Sequence, residues 1–74
     1  MYDRHDLRWD GNRLRLRSGR LLATLVADAD WDGLWRVRMP DGYVSDMVNL
    51  TRAKDAAQLL ALASLNASAP GRAA

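Results

Sequence analysis

Residues 13–27 read RLRLRSGRLLATLVA and set the pattern of the first half of the chain. Up to residue 17, leucines and arginines alternate, and successive side chains of a β-strand point to opposite faces. The alternation therefore predicts a strand with a leucine face and an arginine face. Ser18-Gly19 predicts a tight turn, because glycine accepts the positive φ that hairpin turns require. Residues 21–27 predict a second strand, apolar on both faces apart from Thr24, so its second face either lies under neighbouring segments or awaits a partner.

The flanking segments repeat this combination of alternation and turn residues. Leu7-Arg8-Trp9 alternates and is followed by the turn signal Asp10-Gly11-Asn12. Residues 34–39 alternate again, with apolar side chains opposite arginines, and Pro40-Asp41-Gly42 is a strong turn signal. Residues 43–48 are the last strand candidate. Together these segments predict a meander of three or four antiparallel strands.

The second half of the chain predicts one helix. Asn49 is a suitable N-cap, because its side-chain oxygen can accept from a backbone amide two or three residues later. Residues 50–65 are rich in alanine and leucine and contain no glycine or proline, and Asn66 can end the helix. The predicted fold class is α+β: a three- to four-stranded antiparallel sheet followed by one C-terminal helix packed on it. We expect residues 1–66 to form a single domain and residues 67–74 to form a disordered tail.

The spacing of small and large residues divides the predicted helix into two faces. One stripe at helical spacing is mostly small and would let the helix lie close to the sheet. Its members are Ala53, Ala56, Ala57, Leu60 and Ser64. Leu59, Leu62 and Leu65 fall largely on the other side, and exposed apolar patches commonly mark an interface. We therefore predict a homodimer formed through these three leucines; the alternative is that the N-terminal segment, with Tyr2 and Trp9, folds over them.

The size and composition of the chain favour a small domain that needs additional stabilisation. A chain of 74 residues buries only roughly 60% of the surface that its unfolded form exposes. Without cysteine it has no disulfides, thiolate zinc sites or cysteine nucleophiles, so oligomerisation is the natural remaining support. The charged N-terminus does not resemble a signal peptide, and no apolar run approaches the ~20 residues of a membrane span. We expect a cytoplasmic protein that does not enter the membrane.

The sequence offers little for catalysis. His5 is the only histidine, so the sequence predicts neither a Ser-His-Asp triad nor a metal-histidine cluster. There are no paired glutamates and no glycine-rich phosphate loop. The chain is therefore predicted not to be an enzyme, with no catalytic residues and no cofactor.

Residues 28–33, DADWDG, match the opening of a calcium loop of the EF-hand type. A full loop also requires a bidentate glutamate at its twelfth position, which is Met39 in this chain. We therefore predict a connection with three solvated aspartates and no metal site. Trp31 within it is either a contact residue or a lid on the core.

The arginines are the remaining candidates for binding. If the strands share one sheet, five of them project from one side: Arg13, Arg15, Arg17, Arg36 and Arg38. Guanidinium groups suit phosphate oxygens and guanine edges, which favours nucleic-acid binding. The alternative is an ordinary solvated sheet face whose charges are neutralised by Asp10, Asp46 and the 28–33 segment. The net charge of +2 does not decide between them.

The order of elements, together with the Pro-Asp-Gly turn and a helix beginning NLTRAKDAA, resembles compact β-β-β-α modules. The AP2 domain and the N-terminal domain of some phage integrases have this architecture, and the resemblance implies DNA recognition through the sheet. It covers about residues 7–66 as an order of elements and transfers no site residues. The stretch WRVRMPDGYVSDMVNLTRAKDAA is also similar to short uncharacterised proteobacterial proteins, which implies a bacterial chain.

Two functional hypotheses follow. The first is a small non-catalytic interaction module that self-associates through Leu59, Leu62 and Leu65. The second is a DNA- or RNA-binding protein that uses the arginine side of its sheet.

Overall fold

A computed structural model describes residues 1–67, which form one antiparallel sheet and one helix. The elements are a 3₁₀ turn (Arg4–Asp6), β1 (Leu7–Asp10), β2 (Arg13–Leu16), β3 (Leu21–Ala27), β4 (Leu34–Arg38), β5 (Val48–Asn49) and α1 (Leu50–Ala67). The sheet order is β1-β2-β3-β4-β5, and every neighbouring pair is antiparallel. The predicted α+β fold is confirmed, with five strands instead of three or four.

The alternating leucines and arginines of β2 fold as predicted. Leu14 lies opposite Trp9 on β1 and opposite Ala23 on β3, and Leu14 is fully buried. A bulge follows, because Arg15 pairs with Leu21 and leaves Leu22 as an extra residue in β3. Leu22 and Ala23 are both buried as a result, which is how consecutive apolar residues of β3 enter the same core.

The end of β4 is reversed by the predicted Pro-Asp-Gly turn. The Met39 amide donates to the Tyr43 carbonyl at 2.8 Å, and the Gly42 amide donates to the Met39 carbonyl at 3.0 Å. Gly42 has φ +99, a conformation that side-chain-bearing residues rarely adopt. The strand expected at 43–48 is much shorter than predicted, because β5 holds only two residues and Val44 makes just an isolated bridge to β4.

Helix α1 begins as predicted but faces the sheet with a different stripe. The Arg52 amide donates to Asn49 Oδ1 at 2.9 Å, which confirms the N-cap. The buried residues of the helix are Ala53, Ala57, Ala61 and Leu65. Leu65 was expected on the side away from the sheet and Ser64 towards it, and both expectations are wrong: Leu65 is 6% exposed, whereas Ser64 is exposed. Burying a leucine is favourable, whereas a buried hydroxyl requires a hydrogen-bond partner.

The N-terminal segment is held against the helix. The Tyr2 amide donates to Asn66 Oδ1 at 2.9 Å, and Arg4 Nη2 lies 3.0 Å from Asp55 Oδ1. Asp55 and Asn66 are eleven residues apart and therefore lie on one side of the helix, the side that also carries Leu59 and Leu62. The N-terminal segment therefore contacts this side of the helix at Asp55 and at Asn66, but it does not cover Leu59, which is 55% exposed.

The C-terminal boundary differs from the prediction by one residue in the described part of the chain. Ala67, assigned to the tail, is the last residue of α1. The rest of the predicted disordered tail, residues 68–74, lies outside the described residues. In the part of the chain that the structure describes, α1 lacks the combination of length and hydrophobicity that a membrane-spanning helix requires.

Candidate nucleic-acid interface

One side of the sheet packs on α1, and the other side is not covered by the described residues. The strand register places Arg13 of β2, Thr24 of β3 and Arg38 of β4 in one row across this open side. We name its basic residues the arginine face. They are Arg8, Arg13, Arg15, Arg36 and Arg38. Arg8 was not among the predicted residues, although its place between the core residues Leu7 and Trp9 was a signal for it.

Two members of the arginine face are paired within the chain. Arg15 Nε lies 3.4 Å from Asp10 Oδ2, and its Nη1 donates to the Gly19 carbonyl at 2.9 Å. Arg36 Nε lies 3.4 Å from Asp28 Oδ1, and its Nη1 donates to the Ser45 carbonyl at 3.2 Å. The predicted neutralisation by Asp10 and by the 28–33 segment is therefore observed for these two arginines, whereas Asp46, also predicted to neutralise the face, forms no ion pair with a described residue.

Arg17, a predicted member, is also engaged. It lies beyond the end of β2, where its amide donates to the Asp6 carbonyl at 2.9 Å. Its Nε donates to the backbone carbonyl of His5. Because its guanidinium fastens the 3₁₀ turn to the sheet, we do not count Arg17 in the binding surface.

The other three arginines of the face are uncommitted. Among the described residues, Arg8, Arg13 and Arg38 make no side-chain hydrogen bond or ion pair, and all three are exposed. Arg13 and Arg38 stand on either side of Thr24, about 10 Å apart at two strand spacings. They border a shallow groove of about 400 Å³ that continues to Met39 and Pro40.

The charges of the chain are unevenly distributed. Five arginines and two aspartates, Asp10 and Asp28, belong to the open side of the sheet, which gives it a charge of +3. The other residues of the described range hold five basic and seven acidic side chains, a charge of −2. The small net charge is therefore the sum of a basic open side of the sheet and an acidic remainder of the described residues.

The 28–33 segment is organised around Asp28. Asp28 Oδ2 accepts from the amides of Asp30 at 3.0 Å and Trp31 at 2.9 Å, while Oδ1 faces Arg36. The hydrogen bond from the Asp30 amide lowers the pKa of Asp28, with further lowering from Arg36 and the Trp31 amide against the opposing effect of burial. Within residues 1–67, no three His, Cys, Asp or Glu side chains are grouped so as to hold a metal ion.

The three tryptophans occupy different environments. Trp9 and Trp35 are partly buried and pack against the core, and Lys54 lies over the Trp9 ring with its Nζ 5.8 Å from the ring centroid. Trp31 is 61% exposed. Trp31 was predicted to be either a contact residue or a lid on the core, and its exposure shows that the second alternative is wrong.

The predicted leucine interface is divided by the orientation of the helix. Leu65 belongs to the core, and Leu62 is partly buried against it, so only Leu59 is largely exposed, at 55%. Leu59 and Tyr43 line a groove of about 390 Å³ between α1 and the segment that precedes β5. The sequence alone did not predict that Tyr43 lines this groove, because the position of Tyr43 follows from the 39–43 turn.

Comparisons of the chain with models of protein families, with curated proteins and with solved structures find no match. The resemblance to β-β-β-α modules therefore stays a prediction.

Proposed function

We propose that this chain is a non-catalytic cytoplasmic module that binds nucleic acid through the arginine face. The observation that carries the proposal is the separation of charge, with +3 on the open side of the sheet and −2 elsewhere in the described residues. Phosphates attract such a surface over several ångströms before any direct contact forms.

The uncommitted arginines supply the contacts. Arg8, Arg13 and Arg38 can each present a planar guanidinium to phosphate oxygens without breaking an internal ion pair. Thr24 adds a hydroxyl between two of them. Arg15 and Arg36 raise the potential of the surface while remaining bonded to aspartate and backbone oxygens.

The test is a charge-matched pair of double variants. Arg13→Gln/Arg38→Gln removes two uncommitted arginines from the face, whereas Arg20→Gln/Lys54→Gln removes two exposed basic residues outside it. Binding to a labelled oligonucleotide is measured by fluorescence anisotropy at several salt concentrations. Three phosphate contacts predict a slope of log K against log salt of about −2 to −3.

We expect the face variant to weaken binding at least ten-fold and to reduce the magnitude of that slope by about 1.5, because two contacts are lost. The control variant carries the same overall charge and should change the affinity less than three-fold. Equal losses in both variants would show attraction by net charge alone and would contradict the proposal, as would an absence of binding at low salt.

A second candidate function, self-association, is favoured by the groove at Leu59 and Tyr43. Both side chains are more than half exposed, and the groove also contains Val48 and Ala56. It is bordered by Arg52 and Asp46, which form no ion pair with described residues. In a two-fold symmetric dimer the same surface of both copies meets, so Arg52 of each copy would lie opposite Asp46 of the other and the charges would be complementary.

The variant for this candidate is Leu59→Asp, since Leu62→Asp would also disturb the core. Ser64→Asp is the control, because Ser64 is an exposed residue of the same helix that lies about 140° from Leu59 around the helix axis. Sedimentation equilibrium should give about twice the monomer mass for the unmodified chain and for Ser64→Asp, and the monomer mass for Leu59→Asp. A monomer in all three cases rejects self-association and leaves the arginine face unaffected.

A further inference from the structure

Trp31 is exposed beside a surface that has no aromatic residue of its own. Tryptophan is a highly buried residue on average, and the other two tryptophans of this chain pack against the core. The open side of the sheet presents arginines, Thr24 and the partly exposed aliphatic residues Leu21 and Val26. Trp31 thus offers an aromatic surface that the open side of the sheet lacks.

The backbone of Trp31 is fixed at both ends. Its amide donates to Asp28 Oδ2 at 2.9 Å, and its carbonyl accepts from the Leu34 amide at 3.3 Å. The Asp28 side chain that holds it is only 11% exposed. A tryptophan has two rotatable side-chain bonds, so ordering it on a fixed backbone costs little entropy.

The same aspartate connects Trp31 to the arginine face. Asp28 Oδ1 lies 3.4 Å from Arg36 Nε, and its other oxygen binds the Trp31 amide. These two successive polar contacts place the backbone of Trp31 at the border of the basic surface, in the connection between β3 and β4.

We propose that Trp31 stacks on an unpaired base and that the ligand of the arginine face is single-stranded nucleic acid. This inference rests on the proposed function. Proteins that bind single strands combine a basic surface along the backbone with aromatic side chains on which bases stack. In a duplex the bases already stack on one another, so a single strand exposes the base faces that Trp31 requires.

The experiment uses three probes of similar total charge: oligothymidylate of about twenty nucleotides, a G·C-rich duplex of about ten base pairs, and inorganic polyphosphate of about twenty phosphates, which has no bases. We expect the oligothymidylate to bind more tightly than the other two and to quench the tryptophan fluorescence. Trp31→Ala should weaken binding of oligothymidylate about ten-fold, abolish most of the quenching, and leave polyphosphate binding within two-fold.

Tyr2→Ala is the matched control, because Tyr2 is an exposed aromatic residue whose backbone is held against α1 by Asn66, on the other side of the sheet from the arginine face. Its affinity for oligothymidylate should stay within two-fold of the unmodified chain. Trp31→Phe retains an aromatic ring and should recover part of the affinity lost in Trp31→Ala.

The outcomes separate the two proposals. If Trp31→Ala binds oligothymidylate normally while Arg13→Gln/Arg38→Gln does not, the stacking role is rejected and the arginine face stands. Tighter binding to the duplex also rejects the single-strand assignment alone. If none of the probes binds, the proposed function and this inference both fail.

Discussion

At the scale of single residues, Asp28 organises more of the candidate site than any other side chain. It binds two amides of its own segment and faces Arg36 on the neighbouring strand. The DADWDG pattern correctly indicated a polar connection, but the partner of Asp28 follows from the β3–β4 register, which sequence periodicity does not specify. For the same reason, the sequence could not tell that Arg15 and Arg36 are paired while Arg13 and Arg38 are not.

The lowered pKa of Asp28 predicts a dependence of stability on acid. A carboxylate whose folded-state pKa lies below its unfolded value of 3.8 contributes stability above that value and loses it as the pH falls through the folded-state pKa. Asp28→Asn should therefore have a lower unfolding temperature than the unmodified chain at about pH 7, with the difference shrinking below about pH 4. Thermal unfolding followed by circular dichroism over this range measures it.

Asp30→Asn is the control for that measurement, since Asp30 is an exposed aspartate of the same segment. It should leave the unfolding temperature nearly unchanged at every pH. A difference between the unmodified chain and Asp28→Asn that stays constant from neutral to acid pH would show that the carboxylate charge plays no part.

At the scale of elements, the strands and the helix were predictable because each carries a local pattern. Alternation identified β2 and β4, and the alanine- and leucine-rich run with its Asn49 cap identified α1. The rotation of α1 was not predictable from composition alone. Small residues occur on several sides of this helix, so alanine spacing did not show that Leu65 joins the core.

The rotation of α1 predicts unequal effects of two identical substitutions. Leu65→Ala should lower the free energy of unfolding by about 2–3 kcal/mol, because Leu65 is buried and its removal leaves a cavity. Leu59→Ala on the same helix should change it by less than about 0.5 kcal/mol, because Leu59 is largely exposed. Urea unfolding of both variants at low protein concentration provides the comparison. Equal losses, or a larger one for Leu59→Ala, would contradict the observed orientation.

At the scale of the whole molecule, the concentration of arginines on one side of the sheet opposes folding while it favours an anionic ligand. Arg8 and Arg15 are directly opposite each other on β1 and β2, and like charges in that position are destabilising. Asp10 lies near Arg15, but no described residue pairs with Arg8. The basic surface is thus costly to the free chain. Under the proposed function the same arginines bind the nucleic acid, which is the compromise between stability and binding expected at a functional surface.

This conflict predicts that one substitution will improve stability and reduce binding. Arg8→Thr removes the opposed charge and introduces a residue that suits strands, so the free energy of unfolding should rise by up to about 0.5 kcal/mol at low salt. Most of the gain should disappear at about 1 M salt, where charges are screened within a few ångströms.

The same variant should bind oligothymidylate several-fold more weakly. Arg20→Thr, which has no arginine opposite it among the paired strand residues, should do neither. Stability that falls at low salt in Arg8→Thr would mean that Arg8 stabilises the free sheet, and the opposition between folding and binding would then not exist.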